Sequence, residues 1–114
     1  MSDCLFCKIV AGQIPATKVR EDEHTVAFRD INAQAPTHVL VIPKRHVPAF
    51  GALTAEDGPL LAHMANAVNA VAEAEGVAGT GFRVVCNNGA HAGQTVDHMH
   101  WHVLGGRNLG WPPG

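Results

Sequence analysis

The sequence has 114 residues, of which 46% are hydrophobic and 16% are charged, and its formal net charge at pH 7 is −2. This length allows one domain with a buried core, and the balanced charge argues against binding to polymeric DNA or RNA. The start, MSDCLFCKIV, has an early acidic residue and no long apolar run, so we expect no signal peptide, no membrane anchor and a cytoplasmic location. The odd count of three cysteines argues against a disulfide framework and leaves metal ligation, redox chemistry or burial.

The predicted elements begin with a short helix and a β-hairpin. The stretch CLFCKIVAGQIP predicts a helix that stops at Gly12 and Pro15. ATKVRED and HTVAFRD are typical of two strands joined by a polar turn at residues 22–24. The β-branched run THVLVIPKRH predicts a third strand that ends at Pro43.

A long helix and two further strands follow. Thr54 is the expected cap of this helix, and apolar residues recur after it at helical spacing, so one helical face is predicted to be core. These apolar residues are Leu60, Leu61, Met64, Val68 and Val71. Gly76 closes the helix, GFRVVCN and HMHWHVLG supply two strands, and the ending GGRNLGWPPG is irregular. No repeat or linker interrupts the sequence, so we expect one domain over residues 1–114, with an α+β fold on an antiparallel sheet.

The stretch HMHWH, residues 98–102, places three histidines at alternate positions. Because side chains in a strand alternate between faces, His98, His100 and His102 are predicted to share one face while the apolar residues between them point inward. Successive imidazoles would stand ~6.6 Å apart along the strand. Such a row can be a solvated polar face, but three histidines in five residues favour nucleotidyl transfer or metal binding. Imidazole is nucleophilic when neutral and stabilises phosphoryl oxygens when cationic.

The loop NNGAHAGQTVDH leads directly into the histidine row. It contains two glycines, Gln94 and the hydroxyl of Thr95, and a loop of this kind offers backbone N–H donors to an anion. Most such loops are simply turns. Next to three histidines, this loop is interpreted as a phosphate cradle.

The stretch HMHWH matches the His-x-His-x-His-x-x signature, with x apolar, of the histidine-triad superfamily. FCKIVAGQIPA, AFRDINAQAPTHVLVIPKRH, NNGAHAGQTVDHMHWHVLGG and WPPG resemble the Hint branch, so the likeness covers nearly the whole chain. The resemblance implies an antiparallel sheet of about five strands with one long and one short helix. It also implies a homodimer in which the two sheets join.

The resemblance further implies a hydrolase of purine nucleoside phosphoramidates, such as adenosine 5′-phosphoramidate, which cuts the P–N bond to give a nucleoside monophosphate and an amine. By position, His100 is the nucleophile that forms a covalent nucleotidyl-histidine, which water then hydrolyses. His102 is expected to contact the phosphate or the leaving group. His38 is expected to complete, with His98, the polar group around His100.

The same resemblance assigns a nucleotide pocket. Asp30 matches the family's ribose-binding carboxylate, where an ionised acceptor suits paired hydroxyls. The residues of the expected base slot, which on residue type alone belong to a core, are Leu5, Phe6, Ile9, Phe28 and Ile31. The residues of the phosphate-side loop are Asn87, Gly93, Gln94 and Thr95, with Thr95 in place of the more usual serine. Arg29 and His91 depart from the family pattern where the pocket edge is expected, whereas His24 and His63 are interpreted as solvated side chains.

Cys4 and Cys7, with two residues between them, supply half of a tetrahedral zinc site, and His46 with His98 would complete a closed Cys₂His₂ sphere. A closed sphere leaves no position for water, so we expect a structural zinc that pins the N-terminal segment to the sheet. The alternatives are a redox pair, which lacks a thioredoxin-like βαβ context here, or two buried thiols.

The ending LGGRNLGWPPG cannot continue the last strand, since Gly105 and Gly106 break it and Pro112 and Pro113 lack backbone donors. In the Hint branch the tail reaches the partner's active site, so the resemblance implies that Trp111 helps to build that site. A frayed end is the alternative.

Two other functions stay open at this point. One is a dinucleoside polyphosphate hydrolase of the Fhit type, against which the WPPG ending argues. The other is a nucleotide- or zinc-binding interaction module with vestigial catalysis, since residual activity is a rate rather than a motif.

Overall fold

The computed structural model describes residues 3–114. Its helices and strands follow the order α1 (Leu5–Val10), β1 (Lys18–Glu21), β2 (Thr25–Arg29), β3 (Thr37–Pro43), α2 (Gly58–Ala74), β4 (Phe82–Val85) and β5 (Trp101–Gly105). The strands form one antiparallel sheet in the order β1-β2-β3-β5-β4. The predicted α+β fold, with five strands and one long and one short helix, is confirmed.

Polar side chains fix the predicted turns. The Asp22 carboxylate accepts hydrogen bonds from the backbone N–H groups of His24 (2.8 Å) and Thr25 (2.7 Å), which closes the β1–β2 hairpin. Thr54 caps a 3₁₀ turn, Ala55–Asp57, that leads into α2, with Asp57 accepting in return from the Thr54 N–H. The predicted cap is therefore correct in place, although one turn of 3₁₀ helix precedes the α-helix.

The sheet separates two apolar clusters because side chains alternate along each strand. On one face, side chains of α2 and of the sheet form one cluster together. Its members are Ala27, Val39, Val41, Val47, Met64, Ala67, Val68, Val71, Met99 and Val103. On the other face, side chains of α1 and of the sheet form a second cluster. Its members are Phe6, Ile9, Val26, Phe28, Leu40 and Ile42. All seven residues of β3 are buried, since this strand lies at the centre of the sheet and is covered on both sides.

The last strand is shorter than predicted. It begins at Trp101, so His98 and His100 precede it, and the Met99 N–H donates to the Val47 carbonyl (2.6 Å) instead of to a neighbouring strand. Met99 is buried as predicted, but His98 and His100 are buried too, with only 0% and 5% of their surface exposed. The histidine row is therefore not a solvated face, because α1 covers it. Within residues 3–114, neither helix combines the length and the apolar character needed to cross a membrane.

Candidate active site

His100 lies directly before β5, with the Phe6 ring edge-on to it at 5.1 Å between centroids. Its Nδ1 atom is 2.8 Å from the backbone carbonyl oxygen of His98. A carbonyl can only accept, so Nδ1 carries the hydrogen and donates it, and in the neutral ring Nε2 then holds a lone pair. The local backbone therefore selects the tautomer in which the Nε2 atom of His100 presents a lone pair.

His38 is the second residue of β3, and its tautomer is fixed in the same way. The backbone N–H of Gln34 donates to His38 Nδ1 (3.0 Å), which places the ring hydrogen on Nε2. Nε2 lies 2.9 Å from Nδ1 of His102 and 3.3 Å from Oδ2 of Asp30. The His38 N–H therefore donates to His102, and the Asp30 carboxylate lies close by.

His102 lies on β5 with its ring 5.1 Å from the ring of His100. Because His102 Nδ1 accepts from His38, the hydrogen of the neutral ring is on Nε2. This Nε2 atom is buried and has no hydrogen-bond partner within residues 3–114. A buried N–H without an acceptor costs free energy, so a ligand oxygen or nitrogen placed next to it would be stabilised.

Burial keeps both rings of this pair neutral. It lowers the pKa of His102 to about 4, and the neighbouring His100 and His38 add to the lowering while Asp30 opposes it. Burial also lowers the pKa of His38, again opposed by Asp30. Near pH 7 the site therefore contains neutral imidazoles whose tautomers are set by hydrogen bonds.

A cavity of about 350 Å³ opens in front of His100 and His102. All five residues of the predicted base slot line it, together with Asp30 and Thr95. Phe6, Ile9 and Phe28 are buried and form its wall, whereas Leu5 (44% exposed) and Ile31 (105% exposed) form its rim. The five residues that the family resemblance assigned to the base slot thus line one cavity, and the structure separates wall from rim.

Other lining residues were not predicted, namely Ile14, Pro15, Ala16, Thr17, Leu40 and Val96. Leu40 pairs with Phe28 across β2 and β3 and shares its face of the sheet. Alternation along each strand predicts which residues share a face. Which residue of β3 lies next to Phe28 depends on the register between the two strands, which the sequence of either strand alone does not give.

The phosphate-side loop divides into different roles. The Gln94 side-chain amide donates to the carbonyls of Pro48 (2.8 Å) and Val96 (3.0 Å), and its oxygen accepts from the Gly89 N–H (2.9 Å). Gln94 therefore shapes the loop from inside. Gly93 has a φ of +82°, a conformation that favours glycine.

A second cleft, of about 380 Å³, lies on the other side of His38 and His102. Asn87 lines this cleft rather than the first cavity, together with Gln34, Arg83, Arg107 and the tail residues Leu109, Gly110, Pro112 and Pro113. Trp111 is 80% exposed, and its ring centroid lies 5.9 Å from Cζ of Arg83. Within one chain, then, Trp111 does not line the first cavity.

Three further expectations need correction or placement. Arg29 lines the first cavity, and its guanidinium also binds both carboxylate oxygens of Glu75 at 2.8 Å. His24 and His63 are not independent solvated side chains, since their rings stack at 3.9 Å. His91 is exposed in a 3₁₀ turn, Ala90–Ala92.

A second cluster of polar side chains joins α1 to the sheet. One ligand atom each from Cys4, Cys7, His46 and His98 lies within 4.8 Å of all the others. Three of the four sulfur–nitrogen distances are 3.3 to 3.6 Å, and the two Nδ1 atoms of His46 and His98 are 3.2 Å apart. Tetrahedral zinc with ordinary bond lengths needs ~3.6 Å between sulfur and nitrogen ligands and ~3.3 Å between two nitrogens. The predicted Cys₂His₂ set therefore fits a structural zinc site.

The surroundings of His98 support this assignment. Its Nε2 lies 2.8 Å from the carbonyl oxygen of Pro43, so Nε2 carries the hydrogen and Nδ1 presents a lone pair to the cluster. Burial lowers the pKa of His98, which keeps the ring in the neutral form that a metal requires. The His98 ring does not line the cavity, so its link to the chemistry is the carbonyl that binds His100.

Asp30, His38 and His102 also bring three potential metal ligands together. Here, however, the Gln34 N–H occupies Nδ1 of His38, and the ring hydrogen is therefore on Nε2. Nε2 has no lone pair for a metal, so this group is a hydrogen-bonded chain.

Two imidazoles of complementary polarity beside an apolar cavity, on a five-stranded sheet, define a histidine-triad protein. The family model described as "HIT domain" matches residues 11–109, and the chain belongs to this family. An uncharacterized HIT-like protein of Synechocystis sp. is 51% identical over 112 residues, covering 98% of this chain and 97% of the relative. A 14 kDa zinc-binding protein of Zea mays is 46% identical over 115 residues, covering 99% and 89%.

Solved structures agree with the fold in detail. A HIT family hydrolase from Legionella pneumophila superposes with a TM-score of 0.96 at 49% identity, covering 98% of this chain and 100% of that one. The histidine triad nucleotide-binding protein from Candida albicans superposes with a TM-score of 0.82 at 33% identity, covering 96% and 83%. The protein is thus a HIT family, hydrolase-like protein.

Proposed function

We propose that this protein is a Hint-branch hydrolase that cleaves the P–N bond of purine nucleoside 5′-phosphoramidates, such as adenosine 5′-phosphoramidate. The observation that carries the proposal is a lone pair on His100 Nε2 and, on the neighbouring ring of His102, an Nε2–H without an acceptor within residues 3–114, with both histidines lining one cavity. Acyl and nucleotidyl transfer through a covalent intermediate needs such a nucleophile next to a donor.

In the first step His100 Nε2 forms a bond to the α-phosphorus as the P–N bond to the leaving amine breaks. The His102 Nε2–H passes its proton to the leaving nitrogen, so the amine departs neutral. The site takes up one proton with the substrate, because the anionic phosphate raises the lowered pKa of His102. With Nδ1 of His102 protonated, the His38 N–H turns to Asp30 Oδ2, which lies 3.3 Å away.

In the second step water attacks the phosphorus and the bond from phosphorus to His100 Nε2 breaks. His102 Nε2, which lost its proton in the first step, accepts a proton from the attacking water. The products are the nucleoside monophosphate and the free imidazole of His100. One molecule of water is consumed for each P–N bond that is broken.

The cavity suits a purine nucleoside. Phe6 and Phe28 pack edge to face at 5.4 Å and offer an apolar wall to the base, while the exposed Ile31 forms the opposite rim. Asp30 accepts the ribose hydroxyls, and Thr95 lies beside His100 on the phosphate side. Asn87, in the second cleft, lies on the side from which the amine leaves.

The names of similar proteins support the proposal. The Legionella pneumophila protein is described as a hydrolase, the Candida albicans protein as nucleotide-binding and the Zea mays protein as zinc-binding. In this chain, zinc bound by the Cys₂His₂ cluster would have a structural role, because four protein ligands leave no position for a reacting water.

The proposal includes a homodimer in which residues 1–114 of each chain act as one HIT domain. Strand β4 is at the edge of the sheet and Val84 on it is 43% exposed, so a second copy of the sheet can continue there. The exposed Trp111 would then reach the partner's cavity. The free cysteines Cys4 and Cys7 suit a reducing compartment, which supports a cytoplasmic location.

The test is AMP release from adenosine 5′-phosphoramidate and from diadenosine polyphosphates. We expect rapid release from the phosphoramidate, and loss of turnover with retained nucleotide binding in His100→Asn, which keeps a polar side chain but lacks the attacking nitrogen. Near-normal turnover by His100→Asn would remove the assignment. Preference for the polyphosphates would favour the Fhit-type function, and no release from either substrate would favour an interaction module.

A further inference from the structure

Arg107, in the segment that follows β5, contacts the loop between β2 and β3. Its Nη2 donates to the backbone carbonyl of Gln34 (2.9 Å), and its Nη1 donates to the carbonyl of Asn108 (2.9 Å). One guanidinium therefore holds two backbone segments at a fixed distance. A planar group with several donors is well suited to such a bridge.

Gly106 makes a second contact between the same two segments. Its φ is +90°, and a Cβ atom at this position would come within 2.9 Å of Cβ of Pro36. The chain after β5 thus lies directly against the β2–β3 loop at residues 34 and 36. Only glycine allows both the backbone conformation and the close approach.

The loop held in this way determines the hydrogen bond to His38. Gln34 donates its backbone N–H to Nδ1 of His38 (3.0 Å), while its side chain donates to the carbonyl of Asn32 (2.9 Å). A small rotation of the Gln34 peptide would remove the donor from Nδ1. The tautomer of His38 therefore depends on the backbone geometry of one loop residue.

We infer that Arg107 is a positioning residue for the triad: through Gln34 it holds His38 in the Nε2–H tautomer, which in turn keeps a hydrogen on Nε2 of His102. The proposal about the tautomers stands on hydrogen-bond geometry alone. Its kinetic consequence rests on the proposed function.

The loss of Arg107 would reverse this chain of hydrogen bonds. Without the Gln34 N–H, the hydrogen of His38 is free to occupy Nδ1, which leaves a lone pair on Nε2. His102 Nδ1 must then donate to His38, and Nε2 of His102 loses its hydrogen. Before substrate binds, the cavity would contain two lone pairs, on His100 and His102, and no N–H would be in place for the leaving nitrogen until a proton is taken up.

The groups around His38 support a choice between neutral tautomers. Asp30 on the β2 side and His102 on β5 contact its ring, and Arg83 and Arg107 line the cleft beside it. Burial lowers the pKa of His38 more than Asp30 raises it, so the ring is neutral near pH 7.

The first test reads the tautomers directly by long-range ¹H–¹⁵N correlation spectroscopy of the zinc-loaded protein at pH 7.5. In the wild type we expect His38 and His102 as Nε2–H tautomers and His100 as the Nδ1–H tautomer. In Arg107→Met we expect the nitrogen signals of His38 and His102 to shift toward the opposite tautomers while those of His100 stay unchanged. The matched control is Arg20→Met, which removes a guanidinium that pairs with Asp22. Arg20 lies on β1, at the opposite edge of the sheet from β4 and separated from β5 by two strands.

The second test is kinetic. With adenosine 5′-phosphoramidate, Arg107→Met should lower kcat between about 10-fold and 100-fold, part of the ~10²–10⁴-fold typical of general acid catalysis, and change KM by less than about twofold. Arg107→Lys should recover part of kcat, because an ammonium can donate to the Gln34 carbonyl but cannot also bridge to Asn108. If Arg107→Met does not fold, Arg107→Lys can be used for both the tautomer measurement and the kinetic measurement.

Unchanged His38 and His102 signals in a folded Arg107 variant would overturn the inference, as would an equal loss of kcat in Arg20→Met. Failure of the proposed function is distinguishable from this, because a wild-type protein that releases no AMP still yields the tautomer result. Adenosine titrations by calorimetry should give the same affinity for wild type and Arg107→Met, since adenosine has no phosphate to contact His102 and the variant leaves the nucleoside cavity intact.

Discussion

The Nε2 atom of His38 and the Nδ1 atom of His102 lie 2.9 Å apart, and one hydrogen bond joins them. The direction of this bond follows from a backbone amide, since Gln34 donates to the opposite nitrogen of His38. As a result, the polarity of the His102 edge that faces the cavity is fixed before any ligand binds. The site is preorganised by neutral hydrogen bonds rather than by a permanent charge on the triad.

The low pKa of His102 predicts how stability depends on pH. Unfolded His102 titrates near ~6.5 and folded His102 at about 4, so between these values the unfolded state binds more protons and stability falls as pH falls. The variant His102→Asn has no imidazole at this position, so its stability does not fall with pH for this reason. The stability advantage of wild type over His102→Asn should therefore shrink by roughly 2 kcal/mol between pH 7 and pH 4.5, at ~1.4 kcal/mol per pKa unit.

Urea unfolding at the two pH values measures this difference, in which the effects of the other histidines cancel. His91→Asn is the control, because His91 is exposed in a loop. Parallel pH profiles for wild type and His102→Asn would contradict the assignment of a low pKa to His102.

Metal content is a second prediction. Protein purified without chelator should contain about one zinc per chain, and Cys7→Ser should lose it and unfold at a lower temperature, because zinc ties α1 to the sheet. Cys86→Ser is the matched control, since Cys86 is a partly buried thiol outside the cluster. Elemental analysis showing well under one zinc per wild-type chain would decide against the site.

The C-terminal tail gives a third prediction. Deletion of residues 109–114 should leave the fold intact, because the tail lies outside both apolar clusters, but should change the selectivity for the leaving amine. Trp111→Ala should produce part of the effect, since the indole is 80% exposed in one chain. The measurement is kcat/KM over several leaving amines, together with the mass in solution. Unchanged kinetics across these amines, or a monomeric mass for the full-length protein, would contradict the role of the tail.

The hairpin turn gives a fourth prediction. Burial alone would raise the pKa of Asp22, but hydrogen bonds from the His24 N–H, Arg20 and Thr25 lower it well below its usual range. This stabilisation is present above the unfolded pKa of ~3.9 and is lost as pH falls through the lower folded value. Asp22→Asn should thus cost about 1–3 kcal/mol at pH 7.

The Asp22→Asn difference should shrink below pH ~4, where the unfolded carboxyl group is protonated. Urea unfolding at pH 7 and at pH 3 checks both statements. Glu73→Gln, an exposed position on α2, is the control and should change stability by less than ~0.5 kcal/mol. An Asp22→Asn protein as stable as wild type at pH 7 would contradict the role of the turn.

Local patterns in the sequence predicted most elements of the fold. The β-branched run THVLVIP and the helical spacing after Thr54 each depend on neighbouring residues only, so they can be read from one chain. The order of the strands depends on pairing between distant segments, which local periodicity does not contain. The pairing of β3 with β5, which brings His38 next to His102, is of this kind.

The site was predicted by residue type better than by role. Phe6 and Phe28 lie in the cavity as expected, but the pairing of Arg29 with Glu75 needs the packing of α2 on the far face of the sheet. Likewise Gln94 looks like a phosphate ligand in the sequence, whereas its amide is used inside the loop. Tautomers are the extreme case, because they depend on single hydrogen bonds to backbone atoms.

The division of the sheet into two faces has a practical consequence for engineering. On β3, Val39 and Val41 pack toward α2, while Leu40 packs toward the cavity side. A combinatorial library at the first two positions would therefore sample thermostability, and a library at Leu40 and Phe28 would sample which bases are accepted. The two sets of side chains lie on opposite faces of the sheet, so each library changes the packing of one apolar cluster and leaves the side chains of the other in place.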